Sequence, residues 1–252
     1  MKKRLLICLL LGVCAALTAL PAPTMATSIN GTLQLGGTFT LGPTGSINFC
    51  STGGPCPAAP GNWNVPGVGT GDLNTPYADD PNGGLITNLS NATEPVGTLV
   101  APVLFLTFAP SGALPTPDID FFMTELFAGV GGTAQCAAVP APGQICTPSG
   151  TALTFLNGAG GNSSVTITAE GLAKRVSTAE TDPLQIVITS QFNTPFQTVL
   201  AALAANGSVT NTYSATFTAT PATTPTPEPS SLLMLSSGLI GLGFMKRKVF
   251  QS

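Results

Sequence analysis

The chain has 252 residues, of which 8% are charged and none is histidine, where an average soluble domain carries about 25% charged residues. Without histidine there is no Ser-His-Asp or Cys-His catalysis and no His-ligated metal. Between Thr27 and Thr226, ten carboxylates face only Lys174 and Arg175, a formal charge of −8, which excludes nucleic-acid binding because one basic pair cannot neutralise a phosphate backbone.

Apolar residues make up 43% of the chain, so the low charge does not signal disorder, which pairs low hydrophobicity with high charge. Residues 1–26 have the form of a secretory signal peptide. Lys2, Lys3 and Arg4 are its positive start, and Leu5 to Leu20 is an apolar run broken only by Gly12 and Thr18. Thr24 and Ala26 place small residues at −3 and −1, so cleavage is expected after Ala26. Cys8 and Cys14 leave with it.

Residues 27–220 form the expected secreted domain. Leu33, Leu35, Phe39 and Leu41 alternate with polar residues, and Gly36-Gly37 between them reads as the joint of a strand pair. Ile47 and Phe49 continue the pattern. Further strands are expected in Val96–Val100, Val103–Phe108, Phe121–Leu126, Thr151–Leu156, Val165–Ala169, Leu184–Phe192 and Tyr213–Ala219. Threonine at outward positions suits a pleated surface and explains the scarcity of charge. Short strands with Gly, Pro, Asn and Ser between them predict an all-β fold, an antiparallel β-sandwich or jelly-roll-like domain.

Residues 51–95 read as a long excursion between strands, rich in Gly, Pro, Asn and Asp. Trp63 and Tyr77 lie in it and are the candidate glycan contacts. Asp72, Asp79, Asp80 and Asn82 give an oxygen-rich loop of the kind that holds structural Ca2+, although the spacing is not that of an EF-hand. No other cofactor is expected. Four cysteines remain in the exported part: Cys50, Cys56, Cys136 and Cys146. An even number in an exported chain implies disulfides, and the local pairing 50–56 and 136–146 is expected because each pair brackets a Pro/Gly-rich stretch.

Asp118 and Asp120 alternate along a strand and share a face, with Glu125 on the opposite parity. Two carboxylates at a suitable separation hydrolyse glycosides, but the expectation here is a solvated face and no enzyme. Lys174-Arg175 marks a turn. One helix breaks the β rhythm: Phe196, Val199, Leu200 and Leu203 fall at i, i+3, i+4 and i+7. Thr194 is its expected cap, Pro195 its first residue, and Asn206-Gly207 its end.

Residues 221–226 are a Thr/Pro/Ala linker too poor in large apolar groups to pack. Then come Pro227-Glu228-Pro229, an apolar segment from Leu232 to Met245, and Lys246-Arg247-Lys248. As a helix of about 1.5 Å per residue the apolar segment is a marginal transmembrane span, and the basic cluster orients its end to the cytoplasm. This order of parts over 227–252 resembles the PEP-CTERM protein-sorting signal of Gram-negative bacteria. The resemblance implies export through the secretion machinery and retention in the membrane through the C-terminal helix. It also implies processing near Pro227–Pro229 by an exosortase, and release to the cell surface or extracellular matrix. The expected role is structural or adhesive in an exopolysaccharide matrix. A carbohydrate-binding module using Trp63 and Tyr77, and a glycoside hydrolase using Asp118, Asp120 or Glu125, are the alternatives.

Overall fold

The computed structural model describes residues 28–50, 56, 61–63, 69–73, 84–108 and 118–222, and for 61–63 the backbone alone. The signal peptide 1–26 with Ala26, most of the linker 221–226, and the segment 227–252 with its apolar stretch Leu232–Met245 lie outside the described residues. So do Tyr77, Asp79, Asp80, Asn82 and the side chain of Trp63. The chain divides into two compact units, Met1–Pro221 and Ala222–Ser252. Among the described residues, no helix is long and apolar enough to cross a membrane.

The first unit is a single antiparallel sheet of 11 strands with one described α-helix. The strands are β1 (Gly31–Leu41), β2 (Ile47–Phe49), β3 (Gly61–Trp63), β4 (Gly84–Ile86), β5 (Leu99–Phe108) and β6 (Ile119–Leu126). They continue with β7 (Ile145–Cys146), β8 (Thr154–Asn157), β9 (Ser163–Arg175), β10 (Thr181–Phe192) and β11 (Val209–Ala219). Their order is β2-β1-β11-β10-β9-β6-β5-β4-β3, with β8 on the free part of β9 and β7 beside β8.

The all-antiparallel character expected from the period-two runs holds. The wrapping differs from two stacked sheets: one sheet curls until its edges meet. Ile47 of β2 and Leu89, just past β4, exchange both backbone hydrogen bonds at 2.9 Å. The Asn88 side chain accepts from the Phe49 amide at 2.8 Å. The result is a nearly closed barrel, which removes most exposed strand edge. The run 51–95, expected as an excursion, contains the two short strands β3 and β4 and, just past β4, the Asn88 and Leu89 that make this closure. At three residues each, they are too short for periodicity to reveal.

Alternation sorts the side chains. Along β9, β10 and most of β11 alternate residues are buried, including Val165, Ile167, Leu184, Ile186, Ile188, Ala215 and Phe217. Thr, Ser and Gln take most of the outward positions, with Glu170, Leu172, Lys174, Pro183 and Val187 among them. In β5 the alternation slips: Phe105 and Leu106 are adjacent and both buried, because the pairing with β6 shifts register there.

Gly36-Gly37 does not join two strands. β1 runs through both glycines in unbroken register with β11, from Gly31 opposite Ala219 to Leu41 opposite Val209. Leu33, Leu35, Phe39 and Leu41 all have odd numbers, so one continuous strand already places them on the same face. Gly37 sits directly opposite Tyr213. A Cβ there would lie 2.9 Å from the Tyr213 ring, so the glycine gives the ring its space.

The helix, α1 (Phe196–Asn206), buries Phe196, Val199 and Leu203 as the spacing predicts. Its start differs from expectation. Pro195 is the N-cap and makes no side-chain bond. The Asn157 side chain of β8 instead accepts from the Phe196 amide at 2.9 Å, a cap delivered from another element. The Thr194 carbonyl accepts from the Ser163 hydroxyl at 2.7 Å. Gly207 closes the helix in the left-handed conformation, its amide bonded to the Leu203 carbonyl.

An open sheet position gains stability when glycine becomes β-branched. Gly37→Val is expected to lose about 2 kcal/mol by overpacking against Tyr213. Chemical denaturation measures it, and a gain in stability would disprove the Gly37–Tyr213 packing.

A charged end and an uncharged end with a cleft

Register places both ends of the domain together. Gly31 pairs with Ala219, and the Thr220 amide bonds to the Pro183 carbonyl at 3.1 Å. The β9–β10 turn lies at this same end and follows directly on Lys174 and Arg175, the last residues of β9, so the pair marks where the turn begins. Arg175 is 3.8 Å from both Asp72 and Glu180. Asp182 is buried and accepts from the Ile29 amide, tying down the start of the domain.

The candidate carboxylates do not converge on one point. Asp118 closes the β9–β10 turn: its carboxylate accepts from the Ser177 amide at 2.8 Å and from the Ser177 hydroxyl. Asp120 stands opposite Lys174. Glu125 faces Glu170 across β6 and β9, where a register shift after Met123 re-aims it. That bulge also brings Gly171 against the Phe122 carbonyl, where a Cβ would not fit. The Asp118 carboxyl is held below its ordinary value of 3.8, chiefly by the Ser177 hydroxyl. Desolvation by burial pushes Asp120 above 3.8, partly opposed by Lys174.

Of the residues expected to hold Ca2+, only Asp72 is described. It accepts from the Asn30 amide at 2.9 Å and faces Arg175. No cluster of three or more metal-ligating side chains occurs among the described residues. The disulfides take the local pairing, Cys50 with Cys56 and Cys136 with Cys146.

The opposite end of the barrel is chemically different. It is built from the β1–β2 turn, residues 90–98, residues 127–153 and α1. No Asp, Glu, Lys or Arg occurs in 42–46, 127–169 or 183–227. In 90–98 the only carboxylate is Glu94, which is buried. Glu94 accepts from the Ser90 amide at 3.0 Å and the Thr93 hydroxyl at 2.6 Å, so its charge is spent inside its own turn.

A cleft of about 480 Å3 opens at this end between residues 91–96, 128–133 and 147–151. Its lining has no ionisable side chain. The Asn91 amide ties two of its walls together, donating to the Thr44 carbonyl at 3.1 Å and the Gly150 carbonyl at 2.6 Å. The Cys136–Cys146 bridge pins the 3-10 turn Thr133–Ala137 to β7, immediately before Thr147. Thr147 packs on Gly129, where any Cβ would collide with it, and touches Gly131, where a Cβ would meet Ile145 at 2.9 Å. Its hydroxyl is buried and has no hydrogen-bond partner. Val130, 70% exposed, leaves apolar surface beside the cleft.

Sequence reasoning missed this cleft. Its walls come from three segments that share no motif, and the only sequence signal was the long charge-free run. The expected glycan contacts, Trp63 and Tyr77, cannot be placed in it, because neither side chain is among those described.

Comparison with known proteins bears on the other end of the chain. Residues 225–248 match the family model of the PEP-CTERM protein-sorting motif. No curated protein and no solved structure matches the chain. A motif of this kind is associated with exosortase-dependent sorting of exported proteins.

Two measurements check the site chemistry. A carboxyl-detected NMR pH titration should find Asp118 titrating below 3.8 and Asp120 above it. Ser177→Ala should raise Asp118 and leave Asp120 unchanged. The signs for stability are opposite. The Asp118 contribution is present above its unfolded value and lost as pH falls through the lower folded one, whereas Asp120 favours the fold when protonated and loses that contribution as pH rises through its folded value. Thr147→Val should stabilise the domain by about 1 kcal/mol, because it removes a buried unsatisfied hydroxyl at nearly constant volume. A loss of stability in thermal melts would show that the hydroxyl is satisfied.

Proposed function

We propose that this protein is exported, held transiently in the membrane by its C-terminal segment, cut by an exosortase near Pro227–Pro229, and delivered to the cell surface or extracellular matrix. There it acts as a structural or adhesive, non-enzymatic component of an exopolysaccharide matrix. The observation that carries this reading is the PEP-CTERM match at residues 225–248, at the end of a chain that opens with signal-peptide character.

The domain is suited to that role. Its disulfides belong to an oxidising compartment. Its nearly closed sheet leaves little edge for unwanted strand pairing outside the cell. Its outward Thr, Ser and Asn give a hydrated, weakly charged surface. The turn that Asp118 closes gives that carboxylate a structural use.

Intact-mass analysis of the exported protein tests the sorting step. The mature chain is expected to begin at Thr27 and to end near Pro227–Pro229. Replacing Pro227-Glu228-Pro229 with alanines should leave a cell-retained chain that still ends at Ser252. An exported wild-type protein that ends at Ser252 would refute exosortase processing.

A further inference from the structure

We propose that the cleft at the uncharged end is a binding site for a neutral polysaccharide segment. The proposal deepens the matrix reading above and rests on it for the nature of the surroundings.

Charge selects the ligand class. The domain has both acidic and basic groups, yet the described ones lie at the chain-end pole and along the wall, apart from Glu94, which is buried and bonded within its own turn beside the cleft, and none lines the cleft. A polyanion or a polycation would give up hydration on entering and meet no counter-charge. A wholly apolar ligand would leave the Asn91, Thr133 and Ser149 polar groups facing hydrocarbon. A sugar chain satisfies both kinds of surface. Its hydroxyls match those side chains, and its C–H faces match the rings of Pro95 and Pro148.

Room and rigidity agree with this. A volume of about 480 Å3 falls within the range of about 300–1,000 Å3 typical of ligand sites. The walls are held before any ligand arrives, by the Asn91 bonds and the Cys136–Cys146 bridge. Pre-ordered walls reduce the entropy lost on binding. Thr147 lines the cleft and carries a buried hydroxyl with no partner, so a ligand hydroxyl that reached it would complete a bond the fold leaves unmade.

Location also fits. Both ends of the domain leave the barrel at the charged pole, so attachment through the C-terminal segment does not start from the cleft.

The test uses the exported protein in affinity electrophoresis, through gels containing dextran, galactomannan or xyloglucan, with alginate as the polyanion. Three variants run beside wild type: Ser149→Trp fills the cleft from an exposed position, Thr147→Val removes the unpartnered hydroxyl, and Gln185→Trp alters the side wall. Wild type should be retarded by at least one neutral polysaccharide and not by alginate. Ser149→Trp should weaken that retardation at least tenfold. Thr147→Val should weaken it several-fold while melting no lower than wild type, and Gln185→Trp should leave it unchanged. Retardation by alginate alone, by no polysaccharide, or equally in wild type and Ser149→Trp would overturn the proposal. So would a dimer in sedimentation that only Ser149→Trp dissociates, since the cleft would then hold a second copy. Co-sedimentation with exopolysaccharide from the producing cells separates the two readings. If every variant still co-sediments, the matrix role stands and the cleft assignment falls; if wild type does not, the matrix role falls as well.

Discussion

A continuous run of aromatic rings crosses the barrel interior and holds its walls together. Phe108 meets Phe121 at 5.8 Å, Phe121 stacks on Phe217 at 5.4 Å, and Phe217 meets Phe105 at 6.1 Å. The run continues through Phe49 at 6.1 Å to Tyr213 at 5.2 Å, and then to Phe39 at 5.8 Å. These rings come from β5, β6, β11, β2 and β1, so the contacts span the sheet from near one edge to the other. Large rings in edge-to-face and stacked arrangements contribute burial and geometry together. The β2–Leu89 closure depends on them, because Phe49 draws β2 inward and Phe105 draws β5 toward it. Closure then sets where residues 90–98 emerge and places one wall of the cleft.

The scarcity of charge follows from the same architecture. A barrel that hides its edges and fills its interior with aromatic and aliphatic groups needs only polar outward side chains to stay hydrated. Threonine supplies these and also favours the pleated backbone. The few charged side chains therefore have specific tasks. Asp118 closes a turn, Asp182 anchors the first described residues, Arg175 links Asp72 to Glu180, and Glu94 stabilises the turn beside the cleft. The pole where the chain enters and leaves is electrostatically busy, whereas at the opposite pole the one described carboxylate, Glu94, is buried.

Much of the fold was legible because the information is local. Parity marked most inward residues of β9, β10 and β11, and the i, i+3, i+7 spacing marked the buried face of α1. Proximity in sequence marked the disulfides. The failures have physical causes. Gly36-Gly37 looks like a joint because glycine punctuates strands, but here Gly37 yields space to a ring on another strand. Thr194 looks like a cap, but the helix amide is reached by Asn157. In both cases a side chain distant in sequence outcompeted the local preference.

By itself, the sequence determined the charge-poor composition, the exclusion of histidine chemistry, the PEP-CTERM signal and the period-two rhythm of the strands, since each is written in contiguous residues. Tertiary structure alone decided that one sheet would close on itself and that residues 91–96, 128–133 and 147–151 would surround a common cleft. It also decided that no described charged side chain would line that cleft, Glu94 beside it being buried in its own turn. Those outcomes depend on register and ring packing between segments far apart in the chain, and no local pattern encodes which distant partner a strand will meet.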